Sequence, residues 1–252
     1  MSGKEYVSRH YRERMGSRFR SFRVASGESD LWIGVDPVSW RPEMELLAAA
    51  ELGSLRAELE SYIARRPEFR RGLEPIAADP EAPGVAAAML AAGAAAGVGP
   101  MAAVAGAVAE SVGRAIEAEF GAREVVVENG GDIWLRFEEE IAVSVFAGES
   151  PLSERIGVSV PPSYSPLGIC TSSGTVGPSL SFGKADASMV ACRDAALADA
   201  WATALGNMVR APEDIEAALS RAGEAPGLLA ALVVIGDKMG LRGELRLRLF
   251  ER

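Results

Sequence analysis

The stretch REVVVENGGDIWLRFEEEIAVSVFAG, residues 123–148, contains two β-rich runs separated by charged residues. Inside the first run, Asn-Gly-Gly-Asp interrupts a series of Val, Ile, Trp and Leu, which are residue types that favour strands. Two interpretations of Gly130 and Gly131 are open. They form either a hairpin turn, or a bulge where another group approaches the backbone closely.

The segments on either side of this stretch alternate between short strands and longer helices. Residues 18–36 have two apolar runs around Ser-Gly-Glu-Ser-Asp and predict a β-hairpin. Residues 42–66 predict a helix that starts with Pro42 and ends before Pro67. The other predicted elements are strands at 155–161 and 167–174, a helix at 211–223, and a β-hairpin with a half-exposed last strand at 227–250.

This order of elements predicts an α+β fold in which mixed, largely antiparallel sheets pack against helices, rather than a doubly wound parallel fold. The sequence has no internal repeat and no Pro/Ser-rich linker. We therefore expect residues 1–252 to form a single domain, or two closely packed lobes that share a sheet or an interface.

Composition restricts the classes of function. The formal net charge of -9 argues against a nucleic-acid-binding surface, because neutralising phosphates requires a basic field. A single histidine, His10, makes a Ser/His/Asp or Cys/His nucleophilic centre a poor interpretation and excludes a histidine-rich zinc site. Cys170 and Cys192 are too few for a thiolate metal site and are expected to be reduced in a cytoplasmic protein.

The N-terminal segment is basic. It carries enough guanidinium groups to bind a phosphate or a carboxylate, although solvated charge beside a first strand is the simpler interpretation. No apolar run follows these charges, so we expect no secretory signal and a cytoplasmic location. The arginines are Arg9, Arg12, Arg14, Arg18, Arg20 and Arg23.

Residues 82–109 contain no charged side chain after Glu81 and before Glu110, which raises the question of a membrane span. The segment is rich in Ala and Gly rather than Leu, Ile and Phe, and Gly-Val-Gly-Pro breaks it near Pro100. We therefore expect two buried segments that meet at a glycine turn, and no membrane partner. The turn also leads into a helix whose first amides could bind an anion, although close packing alone is the simpler explanation of the small residues.

A second Ala-rich stretch, ALADAWATALGNMV at residues 196–209, predicts a helix with a core stripe of Leu197, Trp201, Leu205 and Met208. The helix carries a second stripe, of three short polar side chains each one turn beyond the last: Asp199, Thr203 and Asn207. A carboxylate and a hydroxyl one turn apart suit a hard cation or a hydroxyl-rich ligand. The alternative is a buried Asp whose hydrogen bonds are satisfied by Thr203 and nearby backbone.

Four of the quoted segments resemble the ApbE-like proteins, the FAD:protein FMN transferases. They are VGPMAAVAGAVAE, ENGGDI, TSSGTVGPSLSFGKADA and ALADAWATALGN, which together span about residues 95–210. The resemblance implies an ApbE-like, T-fold-related architecture. It also implies that the chain is a branch of that superfamily lacking the usual His-containing motif.

By this resemblance, Asp199 and Thr203 match the Asp and Thr that help hold Mg²⁺ against the FAD pyrophosphate. The glycine pair near the flavin matches Gly130 and Gly131, with Asp132 beside it. The resemblance therefore implies Mg²⁺ and FAD or FMN as cofactors, and a small-molecule, phosphate-bearing ligand. In the transferases, a protein hydroxyl attacks, FMN is transferred and AMP leaves.

The departures from the family pattern concern the chemistry. A His-x-x-Asp-Pro-x-Thr-Gly type of motif is replaced here by SLSFGKADASM, in which Asp186 stands near the family's Asp and Lys184 is placed to contact phosphate. Ser173 and Gly174, beside a predicted strand end, add hydroxyl and flexible backbone to the candidate cofactor-binding set.

Three hypotheses about function follow. The chain is a Mg²⁺-dependent enzyme, transferring FMN or cleaving a nucleotide diphosphate; or a non-catalytic binder of a flavin or related cofactor; or a structural or interaction protein whose polar stripe is satisfied core. Its Ala/Gly-rich faces would suit a homodimer.

Overall fold

The fold is taken from a computed structural model, which describes residues 18–175 and 182–250. Its strands are β1 (Arg20–Ser26), β2 (Ser29–Val35), β3 (Val125–Asn129), β4 (Asp132–Arg136), β5 (Ile141–Ser144), β6 (Ile156–Val160), β7 (Leu167–Ser172), β8 (Ala187–Cys192), β9 (Leu228–Ile235), β10 (Lys238–Gly243) and β11 (Arg246–Leu249). Its helices are α1 (Glu43–Arg65), α2 (Pro67–Arg71), α3 (Gly84–Ala96), α4 (Val104–Phe120), α5 (Ala195–Met208) and α6 (Ile215–Gly223).

The strands form two antiparallel sheets. The large sheet has eight strands in the order β1-β2-β3-β4-β7-β8-β9-β10, and the small sheet has three in the order β11-β6-β5. All pairings in the described part of the chain are antiparallel. The predicted α+β class with largely antiparallel sheets is therefore confirmed.

Side chains along the strands of the large sheet point alternately to its two faces, and the apolar ones form a core on each face. On β4, Trp134 faces the helices, whereas Ile133 and Leu135 face the small sheet. The core on the helix side includes side chains from α1, α3, α4 and α5, and the other core fills the space between the sheets. The molecule thus has three layers: helices, the large sheet and the small sheet.

Helix α5 is central in the helical layer. It packs on β7 and β8 of the large sheet and also contacts α3 and α4. Asp194 caps it, accepting a hydrogen bond of 2.8 Å from the Leu197 N–H. Trp201 and Leu205 are buried as predicted, but Met208 is 41% exposed, because it is the last residue of the helix. The prediction that Met208 belongs to the core stripe was therefore wrong.

The uncharged stretch folds as two helices that meet at a turn. Helix α3 ends at Gly97, whose φ of 78° is left-handed, and a 3₁₀ turn at Pro100–Ala103 leads into α4. In the described residues no single helix is long and apolar enough to cross a membrane. The bent pair Gly84–Ala96 and Pro100–Phe120 passes that test only when taken together, across an angle of 105°.

Candidate functional site

The large sheet places several polar groups on its helix-facing side at one end. Asn129 ends β3 and Asp132 begins β4, and the two are paired across the strands. Ser172 ends β7 and is paired with Ser188 near the start of β8. All four side chains are buried. Since apolar groups fill the rest of this face, the polar end is where the sheet departs from a purely structural pattern.

The two glycines between Asn129 and Asp132 form a hairpin turn. Gly130 and Gly131 have φ values of 72° and 109°, which non-glycine residues rarely adopt. The turn is closed by the buried Glu128, whose carboxylate accepts a 2.8 Å hydrogen bond from the Gly131 N–H. The structure thus selects the hairpin over the bulge.

Helix α4 begins beside this turn. The Asn129 side-chain amide donates to the carbonyl of Ala105 over 3.2 Å, which ties the end of β3 to the first turn of α4. The N-cap residue of α4, Ala103, has no side-chain oxygen with which to cap the helix. The first amides of α4 therefore depend on another part of the chain for a hydrogen-bond acceptor.

Asp199 of α5 supplies that acceptor. Its Oδ2 accepts a 3.0 Å hydrogen bond from the Gly106 N–H, and the Ala105 amide also stabilises the carboxylate. The two helices can approach this closely because residue 106 is a glycine: a Cβ there would lie 2.2 Å from the Ala195 carbonyl oxygen. The acceptor at the predicted helix start is thus a carboxyl group of the protein itself.

Burial dominates the electrostatics of Asp199. Desolvation raises the pKa of its carboxyl group from 3.8 to about 7, although the Gly106 and Ala105 amides oppose the change. The favourable helix N-terminus does not offset the loss of water. A positive charge placed beside Asp199 would therefore favour its ionised form at neutral pH.

Asp132 shares this buried environment. Desolvation, together with the nearby charge of Asp199, raises its pKa well above the usual value, and a 3.3 Å hydrogen bond from the Thr171 N–H to Oδ1 lowers it. The same two carboxylates, after burial, raise the pKa of the Cys170 thiol. The Cys170 thiol also interacts with the Asp132 carboxyl group and donates to the Ala195 carbonyl, and both cysteines are free and buried.

The rest of the polar stripe on α5 extends away from this carboxylate pair. Thr203 follows Asp199 by one turn on the same face and is partly exposed. Asn207 follows by one more turn, and its side-chain oxygen accepts a 2.8 Å hydrogen bond from the Phe182 N–H. The stripe therefore starts in the interior at α4 and ends at a surface segment.

The predicted Ser173, Gly174 and Asp186 lie near the C-terminal end of α5. Gly174 approaches Gly183 closely, and Gly183 in turn lies against the carbonyl of Gly206. Asp186 accepts hydrogen bonds from the Thr175 hydroxyl at 3.1 Å and from the Gly236 N–H at 2.7 Å. Its two oxygens thus connect the loop after β7 to the turn between β9 and β10.

Lys184 donates its backbone N–H to the Val209 carbonyl at 2.7 Å. Arg9, Arg12, Arg14 and His10 lie outside the described residues. The described arginines of the basic segment contact the protein itself: Arg18 pairs with Glu124, Arg23 with Asp30, and Arg20 stacks over Trp40. For those three the simpler interpretation, charge beside a first strand, fits the structure.

The sequence did not identify Ser188. It is fully buried beneath Gly206, and its hydroxyl has no hydrogen-bond partner within the described part of the chain. No strand was predicted at residues 187–192, so nothing in the sequence indicated that Ser188 would be buried. Gly106 offered a signal, because glycine inside a predicted helix marks a close approach.

The donor set of the site consists of hard oxygen atoms. Among residues 18–175 and 182–250, no cluster of three or more His, Cys, Asp or Glu side chains has a metal-binding arrangement. Two carboxylates, Asp132 and Asp199, and the Thr203 hydroxyl remain. Mg²⁺ is usually held by one or two carboxylates and completes its shell with water and substrate phosphates, so this set fits Mg²⁺ bound together with a phosphate.

Comparison with known proteins identifies the family. The family described as AbpE bacteria matches residues 12–240. The UPF0280 protein of Methanocella arvoryzae is 47% identical over 191 residues, which cover 76% of this chain and 77% of that protein. The chain belongs to this family. The UPF0280 protein of Methanocaldococcus jannaschii is 35% identical over 228 residues, 88% of this chain and 90% of its own length.

Solved structures agree with this assignment at the level of the fold. The apo flavinyl transferase ApbE of Pseudomonas stutzeri has a TM-score of 0.53 at 14% identity and covers 89% of this chain and 93% of its own. A variant of the flavin transferase ApbE of Vibrio cholerae has a TM-score of 0.56 at 13% identity, covering 88% and 96%. The chain thus shares the fold of these flavin transferases, and the predicted ApbE-like architecture is confirmed.

Proposed function

We propose that this ApbE-like protein binds a phosphate-bearing nucleotide, a flavin in the first instance, together with a divalent cation such as Mg²⁺. The observation that carries the proposal is the buried pair Asp132 and Asp199, in which the charge of Asp199 raises the pKa of Asp132. Two buried carboxylates need either protons or a cation to be stable at neutral pH.

The side chains around the pair would hold such a cation. Asp199 is oriented by the Gly106 N–H and Asp132 by the Thr171 N–H, so neither carboxylate has to reorganise when a cation binds. The Thr203 hydroxyl, one turn along α5, adds a neutral oxygen. A bound Mg²⁺ would neutralise phosphate charge at this position.

The turn at Gly130 and Gly131 would border the ligand. The position of a Cβ on Gly131 is open, with only the Thr171 carbonyl oxygen within 4 Å, at 3.8 Å. Backbone without side chains lets a ligand approach closely. A flavin is the first ligand to test because the structures that share this fold are flavin transferases by name.

Thermal shift tests the binding proposal. The purified wild-type protein and Asp199→Ala are melted with FAD, FMN and ADP, each with and without Mg²⁺. We expect a rise in Tm for the wild type that needs both nucleotide and Mg²⁺, and none for Asp199→Ala. If neither protein responds to any pair, the proposal fails for these ligands.

A second candidate function is transfer of FMN or cleavage of a nucleotide diphosphate at the same site. The fold shared with flavin transferases favours it, whereas the absence of the His-containing motif from SLSFGKADASM argues against chemistry of the usual kind. Release of AMP from FAD that depends on Mg²⁺ and on Asp199 would establish it. Binding without AMP release would identify a non-catalytic cofactor binder.

A further inference from the structure

Phe182 is an exposed aromatic side chain beside the polar stripe of α5. Phe182 is 55% exposed, and Met208, at the end of α5, is 41% exposed. Within the described residues, the other exposed large aromatic side chain is Phe146, after β5 of the small sheet on the opposite side of the large sheet. A single exposed phenylalanine is common on protein surfaces. What distinguishes Phe182 is its position beside the candidate ligand site.

The backbone of Phe182 is fixed to α5. Asn207 accepts the Phe182 N–H at 2.8 Å, and Lys184 donates its N–H to the Val209 carbonyl at 2.7 Å. Between them, Gly183 packs so closely on Gly206 that a Cβ would lie 1.8 Å from the Gly206 carbonyl oxygen. Three consecutive residues are thus docked on the end of the helix, which holds the aromatic ring near the stripe.

The spacing along the helix matches the dimensions of a nucleotide. Asp199, Thr203 and Asn207 are successive members of one stripe, so Asn207 lies about 12 Å from Asp199 along the axis. In flavin and adenine nucleotides a ribityl or ribose unit separates the phosphates from the flat ring. With phosphates at Asp199 and Thr203, the ring would reach the neighbourhood of Phe182.

From this arrangement we propose that Phe182 is a specificity-determining residue that packs against the flat aromatic ring of the ligand. This inference rests on the function proposed above, because it needs the phosphates to be bound at Asp199 and Thr203. The chemistry that it recognises is a planar π-system, which an isoalloxazine and an adenine share. Asn207 acts through Phe182 as a positioning residue.

The test separates ring binding from phosphate binding. Dissociation constants are measured with Mg²⁺ for FAD, FMN, ADP and inorganic pyrophosphate, on the full chain and on Phe182→Ala, Phe182→Tyr and Phe146→Ala. We expect Phe182→Ala to weaken FAD binding about tenfold and leave pyrophosphate unchanged. Phe182→Tyr should retain the FAD affinity of the wild type, because it keeps an aromatic ring, and Phe146→Ala should bind FAD as the wild type does. FMN and ADP identify which ring responds.

Three results would overturn the inference. The first is equal FAD affinity of Phe182→Ala and the wild type, and the second is equal weakening of FAD and pyrophosphate binding in Phe182→Ala. The third is a wild-type dimer in sedimentation that becomes a monomer in Phe182→Ala without loss of FAD affinity, which would make a second copy of the chain the partner of the ring. If the wild type binds neither FAD nor pyrophosphate, the proposed function fails as well. The two failures are thereby distinguishable.

Discussion

At the scale of single residues, Asp199 has the structural role that the sequence left as one of two alternatives, and its cation-binding role is the proposal made above. It is a buried carboxylate whose hydrogen bonds are met by backbone, since the Gly106 N–H donates to it over 3.0 Å. It also lies with Asp132 in a place where burial favours the neutral acid. The hydrogen bond from the Gly106 N–H orients the carboxyl group of Asp199. It does not supply a positive charge to balance the ionised form.

The pKa of Asp199 gives a pH dependence with a definite sign. Because the folded-state pKa is about 7 and the ordinary value is 3.8, the folded state binds the proton more tightly. The stabilisation of the folded state that comes from protonation of Asp199 is fully present below pH 4. It is lost as pH rises to about 7, by up to about 1.4 kcal/mol per pH unit.

Urea unfolding between pH 5 and 8 without divalent cations measures this dependence. The free energy of unfolding of the wild type should fall as pH rises from 5 to 8. That of Asp199→Asn, which keeps an acceptor for the Gly106 N–H, should fall less. An equal slope in both proteins would show that Asp199 does not titrate in this range.

Gly106 determines how closely α4 and α5 approach. In Gly106→Ala the new Cβ would meet the carbonyl oxygen and carbon of Ala195 at 2.2 and 2.7 Å, so the helices must separate, at a cost of about 1–3 kcal/mol. Gly53→Ala, in α1 with no atom within 4 Å of the Cβ, should instead stabilise by about 0.5–1 kcal/mol. Chemical denaturation of the two variants should give changes of opposite sign; a neutral Gly106→Ala would contradict the close packing.

Variants of Thr203 test whether its hydroxyl group has a structural role or binds the ligand. It is partly exposed, so Thr203→Val, which keeps the branched shape, should change the Tm of the ligand-free protein by less than about 3 °C. The Mg²⁺-dependent rise in Tm with FAD should disappear in Thr203→Val and return in Thr203→Ser. A full rise in Thr203→Val would remove this hydroxyl from the site.

At the scale of elements, α5 connects the interior to the surface. Its N-terminal half lies against α4, and its C-terminal end holds the segment from Phe182 to Lys184. Asn207→Ala should cost about 1 kcal/mol through loss of the bond to the Phe182 N–H. Hydrogen exchange at Phe182 should accelerate in this variant and stay slow in Asn207→Asp, which keeps an oxygen acceptor. Unchanged exchange at Phe182 would show that Asn207 does not hold the segment.

Local patterns predicted several elements correctly because each signal lies within a few residues. They missed β8, and the last strand, β11, which was predicted to be half-exposed, is exposed along its length. The hairpin at residues 18–36, the helix after Pro42 and the helix capped by Asp194 follow from turn residues, proline and period. Met208 was misplaced because periodicity does not show where a helix leaves the core. The choice between turn and bulge at Gly130 was left open because Asn-Gly-Gly-Asp is compatible with both, and the pairing of Asn129 with Asp132 decides it.

At the scale of the whole molecule, the candidate site depends on contacts between distant parts of the chain. Gly106 and Asp199 are 93 residues apart, and Thr171 and Asp132 are 39 apart. Spacing within α5 predicted that Asp199 and Thr203 share a face, but only the topology of the large sheet brings Asp132 close to Asp199. The hydroxyl of Ser188 and the exposed ring of Phe182 gave no sequence signal of this kind.

The central claim is a cation-dependent nucleotide site at Asp199, and calorimetric titration of FAD at neutral pH with and without Mg²⁺ tests it most directly. The variants are Asp199→Asn and, as a control, Asp194→Asn, which removes an exposed carboxylate from the same helix and keeps the N-cap. The account predicts Mg²⁺-dependent FAD binding by the wild type and Asp194→Asn, and its loss in Asp199→Asn. FAD binding of equal affinity in Asp199→Asn, or unaffected by Mg²⁺, would contradict it.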